Sequence, residues 1–240
     1  MKQLYYVVQT LLHGRNANVI KIVSLGLGLM MSILLFSRVA YEQSFDTCLK
    51  KHENLYQVWK RFHLKDGPTQ WSQYCVGKTA GATLEALPDM IESATTVSTW
   101  LASDPIYYEE ASFDERKIVA DSLFFQTMGI PLLEGNAKDL GMRNVIFMSQ
   151  SFAREVFGNE NPVGKTLLWN GKEQAIVKGI YTDIPENNTF RGKAVLSMAS
   201  LDFRKDWFSG GSVSSVVRLK EGADMNFINE RINPILANYI

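Results

Sequence analysis

The run Gly158-Asn159-Glu160-Asn161-Pro162-Val163-Gly164-Lys165-Thr166 is the stretch whose residue types come nearest to chemistry, since glycines followed by Lys-Thr cradle phosphate in nucleotide-binding loops. The spacing is wrong, because five residues separate the glycines where the loop needs four. The context is wrong too. A phosphate loop leaves a strand and opens a helix, so that backbone N–H groups face the anion; here a short helical pattern precedes the run and a strand pattern follows it. Gly77-Lys78-Thr79 lacks an upstream glycine at the right distance. Cys48 and His52, four apart on a helical pattern, offer two ligands where zinc wants three or four. Cys48 and Cys75 leave a disulfide conceivable, but nothing in the sequence brings them together. No serine occupies a nucleophile elbow, and Asn187-Asn188-Thr189 matches a glycosylation acceptor too common to weigh. The expectation is a chain with no catalytic residue, no metal site and no cofactor.

The chain has 240 residues with 46% apolar and 21% charged side chains, and its 25 basic residues balance its 25 acidic ones. That is ordinary globular usage, and it lacks the clustered positive charge that nucleic-acid binding needs. The balance hides an asymmetry: residues 1–41 hold Lys2, Arg15, Lys21 and Arg38 and no acid, leaving 21 bases against 25 acids beyond them. Ile22 to Ser37 carries no charge. With Val19, Ile20, Val39 and Ala40 added, and Lys21 and Arg38 snorkelling, it reaches the roughly 20 residues that span a bilayer. A signal peptide is the weaker reading, because the run exceeds a usual signal core and Ser37-Arg38-Val39-Ala40 is a poor cleavage site. A buried core helix is weaker still, given the polar stretch Tyr41 to Asn54 that follows. Residues 19–40 therefore read as a membrane helix, and the basic residues before it place the N-terminus in the cytoplasm. Within it Ser24, Gly28 and Ser32 recur every four residues and form a small-residue face suited to packing against another helix. Leu4, Val8, Leu11 and Leu12 give residues 1–18 an amphipathic pattern for the inner lipid surface. Residues 41–54 lack Gly and Pro and read as a helical stalk.

Beyond residue 54 strand and helix signals alternate irregularly. Strand composition covers 55–62, 71–76, 95–100, 106–108, 117–120, 145–148, 166–169, 174–180, 194–197 and 212–219. Helical patterns cover 79–87, 122–128 and 151–157, and Asp224 caps a terminal helix. This order predicts an α+β domain of mixed architecture rather than a doubly wound parallel sheet.

One set of motifs is more specific. Ala120-Asp121-Ser122-Leu123-Phe124-Phe125 is followed by Gly129-Ile130-Pro131-Leu132-Leu133-Glu134-Gly135 and then by Val145-Ile146-Phe147-Met148-Ser149-Gln150-Ser151-Phe152-Ala153. Val156-Phe157-Gly158 with Pro162, Gly164 and Lys165, and Val177-Lys178-Gly179-Ile180-Tyr181-Thr182-Asp183-Ile184-Pro185, complete the series. Together with Tyr41-Glu42-Gln43-Ser44-Phe45-Asp46 ahead of Leu55-Tyr56-Gln57-Val58, they resemble the MacB-like periplasmic core domain of FtsX-like ABC transporter permeases of the Bacteroidetes type, over residues 1 to 225. The motif residues read as structural: Phe124, Phe125, Phe152 and Phe157 as core anchors, Gly158 as a helix cap, Pro162 and Gly164 in a turn, Asp183 and Pro185 at a strand end, with Asp121, Gly135, Ala153, Lys165 and Gly179 as further structural motif positions.

The resemblance implies an extracytoplasmic domain of two lobes, a porter-like lobe from 55–109 and 187–240 and an inserted lobe from 110–186. It implies a bacterial inner-membrane protein partnered by a cytoplasmic ABC ATPase, a sister permease subunit and lipid, with substrate moved on the outer side of the membrane as ATP is hydrolysed. It also implies further membrane helices after the outer domain, so a chain ending at Ile240 is expected to be the first part of a longer permease. The alternative is a single-span membrane-anchored sensor or ligand-binding domain, which would show an apolar pocket with converging polar groups. The orientation is testable. A membrane-impermeant thiol reagent applied to intact cells should modify Cys48 or Cys75 once the outer domain is unfolded, and should not modify the added thiol of Thr10→Cys; labelling at position 10 from outside would reverse the topology.

Overall fold

The computed structural model describes residues 5–7, 9, 17–63, 67–169, 171–201 and 213–237. The chain divides into two compact units, Met1–Phe45 and Asp46–Ile240. In the first, α1 (Ala17–Gln43) contains a span, Asn18–Gln43, long and apolar enough to cross a membrane, with mean hydropathy 2.3. Its side chains are exposed nearly all round, as a helix that meets lipid requires. The amphipathic segment expected over residues 1–18 lies almost wholly outside the described residues.

The helical stalk expected over residues 41–54 is not present. The helix stops at Gln43, and turns lead to a short 3₁₀ segment at His52–Asn54. Ser44 donates its hydroxyl back to the Tyr41 carbonyl at 2.7 Å, while Asp46 and Lys51 adopt left-handed backbone angles, φ 59° and 51°. A left-handed residue cannot continue a right-handed helix.

The second unit contains β1 (Leu55–Val58), β2 (Lys60–His63), β3 (Thr69–Ser72), α2 (Thr79–Ala86), β4 (Ile91–Ser98), β5 (Ile106–Tyr108), β6 (Ala111–Phe113) and β7 (Lys117–Ala120). It continues with α3 (Phe124–Met128), β8 (Leu132–Gly135), β9 (Val145–Ser149), α4 (Gln150–Phe157), β10 (Thr166–Trp169), β11 (Glu173–Tyr181), β12 (Ala194–Ser197), β13 (Ser214–Leu219) and α5 (Met225–Ala237). Among the described residues eleven strands form one mixed sheet in the order β1-β13-β4-β7-β12-β9-β11-β10-β5-β6, with β8 beside β11 and β2–β3 a separate hairpin. β9 runs parallel to β11 and β7 parallel to β12; the other pairs are antiparallel.

The central strands β7, β12 and β9 read Lys-Ile-Val-Ala, Ala-Val-Leu-Ser and Val-Ile-Phe-Met-Ser, runs that suit burial on both faces. Alternate residues serve opposite cores. Val119, Ile146, Met148, Ala194 and Leu196 pack with Phe152, Ala153 and Phe157 of α4 on one face, while Ile118, Ala120, Val145, Phe147 and Val195 pack with Phe124, Phe125 and Met128 of α3 on the other. A third core under α2 and α5 draws its buried members only from the flanks, including Val58, Ile91, Val217 and Ile228.

The segments expected to form separate lobes share the sheet. β12, from the second flank, lies between β7 and β9 of the middle segment, and β4 joins β7 through two residue pairs, Val97↔Ala120 and Ser98↔Val119. Phe157 is 6% exposed and stacks edge-on with Tyr108 at 4.6 Å between centroids. Phe157→Ala should cost about 3 to 5 kcal/mol by opening a cavity under α4. Denaturant unfolding would read it, and a loss below about 1 kcal/mol would mean that the site collapses freely.

Candidate functional site

Asp121 stands where β4 meets β7. Its carboxylate accepts from the Thr95 hydroxyl at 2.7 Å, the Thr96 amide at 2.7 Å and the Leu123 amide at 3.0 Å, so it stitches the joint and starts the turn into α3. Burial pushes its carboxyl above the ordinary 3.8, against the pull of those donors. Next to it the Phe125 ring meets those of Phe124, Phe147 and Tyr181, each 5.0 to 5.5 Å between centroids. The fully buried Tyr181 donates its hydroxyl to the Gly192 carbonyl at 2.7 Å.

Gly135 and Gly179 are register partners between β8 and β11. A Cβ on Gly179 would lie 2.6 Å from the Glu134 carbonyl and one on Gly135 2.6 Å from the Gly179 Cα, so both positions exclude any side chain. Asp183, just past β11, accepts from the Ser151 hydroxyl at 2.7 Å and amide at 3.1 Å, tying the strand end to the start of α4. Burial would raise the Asp183 carboxyl, but the Ser151 donors, with help from Ser149 and Arg154, outweigh it and hold the group below 3.8.

Gly158 ends α4 with its amide on the Arg154 carbonyl at 2.8 Å. Asn161 and Pro162 fold the next turn, in which the Val163 amide reaches the Asn161 side chain at 2.8 Å and the Lys165 amide the Pro162 carbonyl at 3.1 Å. The Gly164 amide is committed to the Val177 carbonyl at 2.8 Å, so the loop has no array of free donors for a phosphate. Lys165 pairs with Glu160 and lies 5.3 Å from the Phe157 ring centre, a surface arrangement on a turn. Pro185 lines a polar groove of about 520 Å³ with Ser149, Asp183 and Lys193. Several charges at that groove are already paired: Lys193 with Glu115 at 2.7 Å and Glu155 at 3.5 Å, and Arg191 with Glu186 at 3.3 Å.

In α1 the Ser32 hydroxyl donates to the Gly28 carbonyl at 2.9 Å, so the face marked by Ser24, Gly28 and Ser32 carries a hydroxyl already bonded within the helix. Cys48 is exposed and Cys75 buried, both as free thiols, with Cys75 donating to the Val58 carbonyl at 3.3 Å. Among the described residues no group of three or more His, Cys, Asp or Glu side chains is placed to hold a metal.

The entry to the second unit holds contacts that the sequence left unread. Asp46 accepts from the Thr189 amide at 2.8 Å and hydroxyl at 2.7 Å, and its own amide donates to the Asn187 carbonyl at 3.0 Å. Asn188 reaches Cys48 Sγ at 3.4 Å. Arg218, 4% exposed on β13, donates Nε to the Thr127 carbonyl at 2.8 Å and Nη1 to the Lys51 carbonyl at 3.2 Å. An arginine inside Val216-Val217-Arg218-Leu219 was the one available signal, since a charge in an apolar strand marks a site with a partner.

Residues 19–235 match the family model of the MacB-like periplasmic core domain, and the chain belongs to that family. Its architecture is similar to a domain of a putative permease protein from Porphyromonas gingivalis, with TM-score 0.67 and 17% identity over 80% of this chain and 84% of that one. It is also similar to the periplasmic region of MacB from Actinobacillus actinomycetemcomitans, with TM-score 0.57 and 18% identity over 82% of this chain and 86% of that one. The extracellular domain of the noncanonic ABC-type transporter YknZ from Gram-positive bacteria gives TM-score 0.57 and 13% identity over 77% and 94% of the two chains. No curated protein matches the sequence. The chain thus joins a helix long and apolar enough to cross a membrane to a domain of the MacB-like periplasmic core family.

The two carboxylates should respond to pH in opposite senses. Asp183, lowered in the folded state, contributes stability above its ordinary 3.8 that is lost as pH falls through its lower folded value. Asp121, raised, favours the fold when protonated and loses that contribution as pH rises through its raised value. Urea midpoints measured from pH 3 to 7 should therefore show Asp183→Asn less sensitive to acid than wild type below about pH 4, and Asp121→Asn with a flatter profile above it. Profiles parallel to wild type would remove these groups from the acid response.

Proposed function

We propose that this chain is the first membrane helix and the extracytoplasmic domain of an ABC transporter permease, coupling ATP hydrolysis in the cytoplasm to movement of substrate outside the membrane. The family match over residues 19–235 carries the reading, because it spans both the membrane helix and the domain. The N-terminus is cytoplasmic and the domain periplasmic in a bacterial inner membrane, as the acid-free basic residues 1–41 support. The partners are a cytoplasmic ABC ATPase, a sister permease subunit forming a dimer, and lipid around α1. The chain performs no chemistry itself. Its motif residues hold a fold together, and the paired charges of the 520 Å³ groove favour a transmitting domain over a small-molecule sensor. The two-lobe reading, with 55–109 and 187–240 as a porter-like lobe and 110–186 as an inserted lobe, is supported by the third core, whose buried members all come from the flanks.

The small-residue face of α1 gives the test. In lipid, helix association rests on close backbone approach, which Gly28 permits. In the full-length permease Gly28→Leu should weaken recovery of the ATPase in detergent pull-downs and reduce ATP-dependent crosslinking between outer domains. Leu27→Ile, about 100° round the helix, should leave both unchanged. Equal behaviour of the two variants would reduce α1 to an anchor and remove the support this face gives to coupling.

A further inference from the structure

We propose that residues 46–51 form a lever laid across the β4–β7 joint, with Asp46 and Arg218 as its two attachment points. The proposal rests on the coupling reading above and names the residues through which motion arriving from the membrane helix would enter the sheet.

The first attachment lies on one side of the joint. Asp46 is fastened by the two Thr189 hydrogen bonds and by its own amide on Asn187, and Asn188, 1% exposed, touches Cys48. The 187–190 turn leads into β12, which pairs with β7 and β9. The second attachment lies on the other side. Arg218 belongs to β13, which pairs with β1 and β4, and its guanidinium holds the Lys51 carbonyl at 3.2 Å together with the end of α3 through Thr127. Between the attachments Leu49 is buried in the core beneath α3. The sheet order therefore places the attachments of a six-residue segment, the turn before β12 and strand β13, on opposite sides of the joint; its ladder is two residue pairs, with the Asp121 carboxylate and the core beneath α3 bridging it.

The backbone is consistent with a stiff segment rather than a tether. Asp46 and Lys51, the residues at the two attachments, both hold left-handed conformations, which non-glycine residues keep only where the surroundings over-determine them. A slack linker would relax to extended or helical angles. Any displacement of residues 46–51 thus loads β12 against β13, and the joint of least pairing between them is where the two halves of the sheet can shift. Asp46, Thr189 and Arg218 are positioning residues in this scheme.

The experiment uses the full-length permease with its ATPase, reading ATP-dependent crosslinking between outer domains beside the melting temperature of the outer domain. Asp46→Ala and Thr189→Val should each reduce the ATP-dependent change about fivefold or more with little change in melting. Arg218→Gln should do the same from the other attachment. Because Arg218 is buried and its variant can fail to fold, the decisive arm is a rescue. Adding Asn188→Cys to Asp46→Ala puts a second thiol on the side chain that now reaches Cys48 Sγ at 3.4 Å, and the disulfide, whose formation is confirmed by loss of free thiols, re-fastens the first attachment covalently. Oxidation should restore the ATP-dependent change and reduction should abolish it. An Asp46→Ala variant with wild-type crosslinking, or an oxidised double variant that stays uncoupled, would overturn the lever. A wild-type protein with no ATP-dependent change would instead sink the coupling reading beneath it.

Discussion

The structure depends on three adjacent strands, β7, β12 and β9, that are buried on both faces. Their side chains alternate between two cores, so each strand serves the packing of α4 on one side and α3 on the other. A slip of one residue in any of them would exchange the two cores wholesale, which fixes the register far more firmly than in a sheet with one wet face. Helices, edge strands and turns are arranged around that constraint.

Polar groups inside this frame mark where elements are joined. Asp121 joins two strands, Asp183 joins a strand end to a helix start, Tyr181 spans to the Gly192 backbone, and Arg218 gathers carbonyls from two separate segments. A buried polar group costs free energy unless it is hydrogen-bonded, so each of these is retained only with its partners. Arg218 meets carbonyl oxygens and has Nη2 without a partner; burial pushes its pKa down, eased by the charges of Glu92 and Glu53.

Much of the element order was legible because it is written in local periodicity. The runs 106–108, 117–120, 166–169 and 194–197 are strands at the expected residues, and the helices at 79–86 and 150–157 begin and end within a residue of their signals. β6 and β8 were missed. Ala111–Phe113 is three residues long, and Leu132–Gly135 has little burial to pattern it. The stalk was misread because absence of Gly and Pro permits a helix without requiring one, and the left-handed turns at Asp46 and Lys51 are enforced by residues from 187 to 218 that no local window includes. The same distance hid the meeting of Gly135 with Gly179. Motif order identified the family, but it could not say which motif residues touch.

The pairing of β1 with β13 has a further consequence for how the molecule comes into being. Leu55 is bonded across the sheet to the region of Arg218, and β12 must enter between strands made well before it. A chain that emerges from its N-terminal end cannot close this sheet until β13 has also emerged. Such distant pairing makes folding slow and leaves β4 and β7 with open edges while they wait. Until residue 219 has been delivered, the hydrogen-bonding edges of the nascent domain remain open to whatever else can supply a strand.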